Sequence, residues 1–190
     1  SRGLSQIGDE RNFYYCEYSF ESGIPKPKED TLKTIPAQLV AIKTAQPFFS
    51  SQPNKRKKIE VWIEKDCLDL SNPKAAHMTK AKAEALARFF LNEETPLKAN
   101  DLYDWTTAII GEEWSSKTIS PLIANQNTII LFLYDIKGNR TALPSPDETF
   151  TAGFFYSKDN YQKKALPYSN EAIMLYLDAV LFAAQSGESW

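Results

Sequence analysis

The single histidine of this 190-residue chain, His77, sets the first limit on its chemistry. A zinc hydrolase needs several nitrogen or oxygen ligands and an open coordination position for water. The HExxH motif supplies two histidines and a glutamate base from one helix, and one histidine cannot build it. We therefore predict that the chain contains no catalytic residue and no metal ligand, and that His77 is a loop or helix-cap residue.

The two cysteines, Cys16 and Cys67, lie in separate predicted strands. Asp66 and Asp69 flank Cys67, and nearby carboxylates raise the pKa of a thiol, which disfavours a nucleophile. We therefore interpret Cys67 as structural. A disulfide between Cys16 and Cys67 stays open, because it requires Cα atoms within about 7 Å of each other. An even number of cysteines is also compatible with an oxidising compartment.

Carboxylates could divide acid and base roles in a hydrolase. Glu112 and Glu113 precede Trp114, a combination that would suit a sugar site, although a loop anchored by one tryptophan is the simpler interpretation. Asp135 and Asp178 each end a predicted strand, where an acid can bind metal or, more commonly, cap a turn. A hydrolase that uses Glu112, Glu113 or Asp135 is the least favoured of three functional hypotheses.

Composition narrows the class of protein. Hydrophobic residues make up 43% of the chain and charged residues 24%, as in a soluble globular protein. The net charge of −2 argues against electrostatic capture of nucleic acid or anionic membrane. No stretch approaches the roughly 20 apolar residues that span a bilayer. The start, Ser1–Leu4, lacks both Met and a hydrophobic signal core, so we expect a chain from which a targeting segment was removed.

The elements of the N-terminal third are predicted to be strands. Aromatic residues favour a strand over Phe13–Phe20, prolines break regular structure over Gly23–Asp30, and Ala37–Lys43 is a short strand candidate. Apolar and charged residues alternate over Lys58–Lys65. A period of two predicts a strand with one buried and one solvated face.

Two helices are predicted to follow. The spacing of Ala83, Leu86, Phe89 and Phe90 predicts an amphipathic helix over Thr79–Leu91, with Thr79 as N-cap. A second helix is predicted from Asn100, as N-cap, to Ile110, with Gly111 after its end. Its predicted apolar positions are Leu102, Trp105, Ile109 and Ile110.

The C-terminal third returns to strands. Thr128–Tyr134 has seven strand-forming residues without polar alternation, which is typical of a central strand covered on both faces. Phe150–Tyr156 is another strand candidate, in which Gly153 marks a bulge or a close backbone approach. Residues 172–185 fit both a helical stripe and a strand, and we predict a strand for the first part and a helix for the second.

This order of strands, helices and strands predicts an α+β fold with a mixed β-sheet backed by helices. We expect a β-rich N-terminal section over residues 1–53 and an α+β domain over residues 54–190.

Several pieces of the C-terminal half together resemble the hyicolysin-like zinc metallopeptidases of bacteria, including the lipoprotein members found in spirochaetes. The resemblance runs from about residue 79 to residue 180, and its pieces are Leu102–Trp105, Ile110–Trp114, Ile129–Ile136, Gly153–Asn160 and Ser169–Asp178. It implies a zincin-like upper subdomain with one strand lining the substrate cleft. The zinc ligands and the catalytic glutamate would lie beyond Trp190, so this chain itself holds no cofactor.

The resemblance also implies where a substrate would bind. The cleft strand would bind an extended peptide by strand addition. Two sets of residues are candidates for it: the first is Gly153, Phe154, Phe155 and Tyr156, and the second is Ile173, Leu175 and Leu177. An ordinary core strand is the alternative for each set.

Two main functional hypotheses follow. The first is the non-catalytic N-terminal fragment or domain of a secreted or surface zinc metallopeptidase, inactive alone, whose partner is a peptide or protein substrate. The second is a self-contained exported binding or structural lipoprotein domain, or a degenerate peptidase relative. Both imply an extracellular, periplasmic or cell-surface location, with a lipid anchor on the removed N-terminus as one option.

Overall fold

Eight strands and three helices make up the described part of the chain, which in this computed structural model is residues 4–48, 56–92, 101–110, 112, 120–124 and 127–185. The strands are β1 (Glu10–Tyr15), β2 (Tyr18–Glu21), β3 (Ile24–Pro27), β4 (Lys33–Ala45), β5 (Lys57–Glu64), β6 (Thr128–Tyr134), β7 (Gly153–Phe155) and β8 (Ile173–Asp178). The helices are α1 (Lys80–Phe90), α2 (Leu102–Ile110) and α3 (Ala179–Ala184). No helix of these described segments is long and apolar enough to cross a membrane.

Six of the strands form one mixed sheet in the order β1-β4-β5-β6-β8-β7, while β2 and β3 form a separate hairpin. The central strands β5, β6 and β8 are parallel to one another, and the remaining pairs are antiparallel. The predicted α+β class is therefore confirmed. The expected division at residue 53 falls between β4 and β5, which pair with each other, and the domain division itself stays a prediction.

The sheet is curled, because its two outermost strands approach each other. The Tyr15 ring at the end of β1 lies 6.1 Å from the Phe154 ring of β7 and 5.9 Å from the Tyr156 ring, measured between centroids. The concave face holds an aromatic core that includes Phe13, Phe132 and Tyr176. The opposite face packs against the three helices through an aliphatic core.

Strand β5 corrects one prediction, since both of its faces are buried. Ile59, Val61 and Ile63 face the helices, whereas Trp62 lies in the concave core. Glu60, predicted to be solvated, is 4% exposed, and its carboxylate pairs with Lys58 and accepts a hydrogen bond from the Trp62 indole. Charged residues alternate with apolar ones in this central strand because the Glu60 carboxylate is buried together with its bonding partners. Neither face of the strand is exposed to solvent.

Both predicted helices are present as α1 and α2, but the buried face of α2 differs from the predicted apolar one. The Thr79 hydroxyl accepts a hydrogen bond from the Lys82 N–H, as an N-cap does. In α2 the predicted apolar positions are exposed, namely Leu102, Trp105, Ile109 and Ile110. Tyr103 and Asp104 are buried instead, and the Asp101 carboxylate caps the Asp104 N–H. Asn100 and Gly111 lie outside the described residues.

The proline segment corrects another prediction. Residues 24–27 form β3 although they contain Pro25 and Pro27, which we expected to break regular structure. The Lys28 N–H donates to the Glu17 carbonyl, so alternate residues face β2 and both prolines face away from it. Proline is tolerated at such edge positions because no ladder hydrogen bond is lost.

Most of the C-terminal elements agree with the predictions made from the sequence. β6 is buried on both faces, and the segment 172–185 is strand β8 followed by α3, as predicted. The expected strand over Phe150–Tyr156 is shorter and consists of β7 alone. Cys67, expected in a strand, lies in a 3-10 turn after β5, and Cys16 lies between β1 and β2.

Candidate functional site

Strand β7 ends the strand order of the sheet and, among the described strands, pairs only with β8. The Asp178 N–H donates to the Ala152 carbonyl at 2.8 Å. Because backbone groups alternate in direction along an antiparallel pair, Phe154 bonds to β8, whereas the N–H and C=O groups of Gly153 and Phe155 point away from it. Both residues are exposed, so β7 offers a short free backbone edge.

Close packing against β8 holds β7 in place. Gly153 lies opposite Leu177, and a Cβ at Gly153 would stand 2.6 Å from the Tyr176 carbonyl oxygen. The predicted close backbone approach at Gly153 is thus confirmed. On the concave face, the Phe154 ring stacks on Tyr176 with centroids 4.7 Å apart. Only glycine at position 153 allows β7 to come this close.

The second predicted cleft strand has no free edge. Ile173, Leu175 and Leu177 lie in β8, which pairs with β6 on one side and β7 on the other. Leu175 and Leu177 are half-buried against the helix-side core. Strand addition is therefore open to β7 and closed to β8, while a side-chain role for these three residues stays a prediction.

Tyr156, the last residue of the first predicted set, ties the end of β7 to the other side of the curl. Its hydroxyl donates to the Cys16 carbonyl at 3.0 Å. Burial, followed by the neighbouring Tyr15, raises the pKa of Tyr156 to about 12. The phenol is therefore a neutral donor at physiological pH.

A buried polar network fastens the segment after β7, and no sequence pattern predicted it. The Asp159 carboxylate, 0% exposed, accepts hydrogen bonds from Lys158, Asn170 and the Tyr176 hydroxyl. The Lys158 ammonium also donates to the Tyr14 and Tyr168 carbonyls. In the sequence, Lys158 and Asp159 look like ordinary loop polar residues.

Burial dominates the electrostatics of this network. It lowers the pKa of Lys158, and the Asp159 carboxylate offsets only part of that effect. Burial and the same carboxylate raise the pKa of Tyr176. Since both side chains are almost inaccessible to solvent, the network holds β1, β8 and the segment after β7 together and does not present a reactive group.

A sequence model of a known peptidase family matches most of the chain. The sequence model of peptidase M30, the hyicolysin-like zinc metallopeptidases, matches residues 48–188, about three quarters of the chain. The chain belongs to the peptidase M30 family. No curated protein and no solved structure gives a match. The resemblance stated from the sequence is confirmed at the level of this family.

The M30 chain does not carry a zinc site among its described residues. These residues contain no group of three or more His, Cys, Asp or Glu side chains that could hold a metal. Nε2 of His77 lies 3.0 Å from the Asn72 carbonyl, in a loop. Glu112 is half-buried, and Glu113 and Trp114 lie outside the described residues. The described residues therefore do not fit the zinc that the family implies.

The strand-end acids of the M30 chain are held in ion pairs. Asp135 bonds Lys74 at 2.7 Å and accepts from the Gly138 and Arg140 N–H groups, while Asp178 contacts Arg140 at 3.4 Å. The Asp178 carboxylate also caps the Leu181 N–H of α3. Turn and helix capping, the commoner role expected for both acids, is confirmed.

Both cysteines are free and buried, so the disulfide left open by the sequence is not formed in this structure. The Cys67 thiol donates to the Glu64 carboxylate at 3.3 Å, and Cys16 contacts the Glu17 and Lys28 carbonyls. Burial, with Glu64 as the next cause, raises the pKa of Cys67. This supports the structural interpretation of Cys67, because a nucleophile needs a lowered pKa.

Proposed function

We propose that this M30 domain binds an extended peptide along the free edge of β7, as part of the substrate cleft of an exported zinc metallopeptidase. Zinc and the catalytic residues are supplied by another segment of that protein, because this chain has one histidine and its described residues hold no metal-binding group. The domain alone is inactive and contributes substrate binding. Family membership supports the peptidase context, and the topology supports the position of the peptide.

The observation that carries this proposal is the backbone edge at Gly153 and Phe155. Each residue directs one N–H and one C=O away from β8, so a paired peptide would gain up to four backbone hydrogen bonds. A net contribution of about 0.5–1.5 kcal/mol for each bond makes such pairing significant. Main-chain pairing confers affinity with little dependence on the sequence of the peptide.

The location is part of the same proposal. The protein is exported to an extracellular, periplasmic or cell-surface site, with a lipid anchor on its N-terminus, in line with the lipoprotein members of the family that it resembles. Protease treatment of intact source cells tests this point. Loss of the protein from intact cells supports export, and protection until lysis contradicts a surface location.

The second candidate is a self-contained binding or structural domain, or a relative that has lost catalysis. The lack of a zinc-binding group among the described residues favours it. The coding sequence after Trp190 discriminates between the two. A reading frame that enters an HExxH helix supports the cleft domain, and an immediate stop codon supports the self-contained one.

Proline at position 155 tests the edge directly. Phe155→Pro removes the outward N–H of β7 but no bond of the β7–β8 ladder, whereas Phe155→Ala removes the same side chain and keeps the N–H. The probe is a fluorescein-labelled peptide of alternating threonine and valine, and its binding is followed by fluorescence anisotropy. We expect Phe155→Pro to weaken binding about 10-fold relative to Phe155→Ala. Equal binding by the two variants, or no binding by the natural chain, contradicts the proposal.

A further inference from the structure

An apolar groove of about 550 Å³ lies between the β2–β3 hairpin and the segment that follows β7. Its walls are mainly aromatic rings and prolines, namely Tyr18, Phe20, Pro25, Pro121, Tyr156 and Tyr161. The volume falls within the roughly 300–1,000 Å³ of typical ligand pockets. Such walls favour apolar side chains over charged ones.

The groove presents no available charge from its described lining. Lys158 is the only charged residue of that lining, and its ammonium is turned inward to Asp159 and the Tyr14 and Tyr168 carbonyls. A charged ligand group would therefore lose its hydration without gaining a partner among these described residues.

Hydrogen bonds hold two of the tyrosines that line the groove before any ligand binds. The Tyr18 hydroxyl accepts from the Tyr168 N–H at 3.2 Å, and the Tyr156 hydroxyl donates to the Cys16 carbonyl. Phe20 is the solvent-exposed side of the wall, at 75% exposure. Side chains already held in position lose little conformational entropy on binding, which favours affinity.

The groove continues the edge of β7. Tyr156 and Ser157, which line it, directly follow Phe155 in the chain. A peptide that pairs antiparallel to β7, the more stable arrangement, runs in the opposite direction. Its residues N-terminal to the paired stretch would therefore pass Tyr156 and reach the groove.

We propose that this groove binds aromatic or proline residues located immediately N-terminal to the stretch of peptide that pairs with β7. This specificity rests on the proposed peptide-binding function. Prolines and aromatic rings suit the groove because aromatic walls recognise extended, apolar peptide segments, as in other proline-binding domains. The substrate class is thus peptides with an apolar segment before an extended one.

Two fluorescein-labelled peptides test the groove with the full chain. Both carry the same C-terminal threonine–valine repeat, and they differ by Phe-Pro-Phe or Ala-Ala-Ala at the N-terminus. We expect the Phe-Pro-Phe peptide to bind at least about 10-fold more tightly, because burial of even one large apolar side chain accounts for such a ratio. Phe20→Ala should reduce the ratio of the two dissociation constants to below about 3.

The matched control is Ile24→Ala, which truncates another exposed side chain of the same hairpin that does not line the groove. It should leave the ratio unchanged. A ratio near one in the natural chain, or a ratio that Phe20→Ala does not change, overturns the proposal that the groove binds these residues. Phe155→Pro still tests the β7 edge independently. Tight binding of Phe-Pro-Phe alone, unaffected by Phe155→Pro, overturns the link between groove and edge.

Discussion

At the scale of residues, the carboxylates at the strand ends stabilise the fold through ion pairs. Asp135 and Lys74 are both nearly inaccessible, with side chains 1% and 4% exposed. Burial by itself raises the pKa of Asp135, but Lys74 and the Arg140 N–H outweigh burial, and the net pKa is lowered. Burial raises the pKa of Asp178 overall, although the Leu181 N–H and Arg140 oppose it.

Asp135→Asn should lower the free energy of unfolding by about 3–5 kcal/mol, because it leaves the Lys74 ammonium buried without its anion. Urea unfolding followed by circular dichroism measures the change. Glu148→Gln is the matched control, since it removes an exposed ion pair with Lys137 and should change stability by less than about 1 kcal/mol. A loss at Asp135 no larger than that of the control contradicts the prediction.

The difference in stability between the natural chain and Asp135→Asn should also depend on pH. A lowered pKa in the folded state means that Asp135 contributes stability above its unfolded pKa, and that this contribution is lost as the pH falls through the folded pKa. The difference between the natural chain and Asp135→Asn should therefore shrink below pH 3.8, the ordinary value for this carboxyl. A difference that grows on acidification contradicts the assigned direction.

At the scale of elements, close packing and not hydrogen bonding alone positions strand β7. β7 has only three residues, and Gly153 lets it approach β8 to a distance at which a side chain would collide with backbone. In helix α2, by contrast, the side chains at the predicted apolar positions do not pack against the core and a hydrogen bond is made on the buried side. Its apolar positions are exposed, while Asp104 accepts a hydrogen bond from the Phe48 N–H on its buried side.

Gly153→Ala should destabilise the protein by about 1–3 kcal/mol, the usual range for overpacking. The added Cβ would meet the Tyr176 carbonyl at 2.6 Å and a Leu177 methyl at 2.8 Å. Hydrogen exchange should show faster exchange at the Phe154 amide, which bonds to β8. Ala152→Val, at the exposed preceding residue, is the control and should have little effect. Unchanged exchange at Phe154 in Gly153→Ala argues against the close approach.

At the scale of the whole molecule, side chains close the curled sheet where backbone pairing stops. The Asn170 carboxamide accepts from the Tyr14 N–H at 2.8 Å and donates to the Tyr14 carbonyl at 2.9 Å. One side chain thus satisfies both backbone groups of a β1 residue, as a neighbouring strand would. The same amide contacts Asp159 and Tyr176, so β1 and β8 share one buried network.

Asn170→Leu preserves the approximate volume but leaves buried polar groups of Tyr14, Asp159 and Tyr176 without this partner. We expect a loss of about 2–5 kcal/mol in the free energy of unfolding, because each unsatisfied buried group costs about 1–3 kcal/mol. Faster exchange at the Tyr14 amide would locate the change. Asn12→Leu, at an exposed position of β1, is the control. Stability equal to that of the control shows that Asn170 does not close the curl.

The sequence by itself determined those elements whose signals are local. The Thr79 cap and the apolar spacing of α1, the apolar run of β6, and the change from strand to helix at Asp178 all depend on residues a few positions apart. Such interactions form within one helical turn or one strand, so their period is visible in the chain. The family was recognisable for the same reason.

Only the tertiary structure decided which strand is free, which acids are paired and which apolar faces are covered. Glu60 is buried because β5 is central, and β7 has a free edge because it is last in the strand order. Lys158 bonds Tyr14 across 144 positions, and Phe20 faces Tyr156 and Tyr161 across the groove. These properties arise from strand order and curl, which bring distant residues together. No period along the chain encodes them.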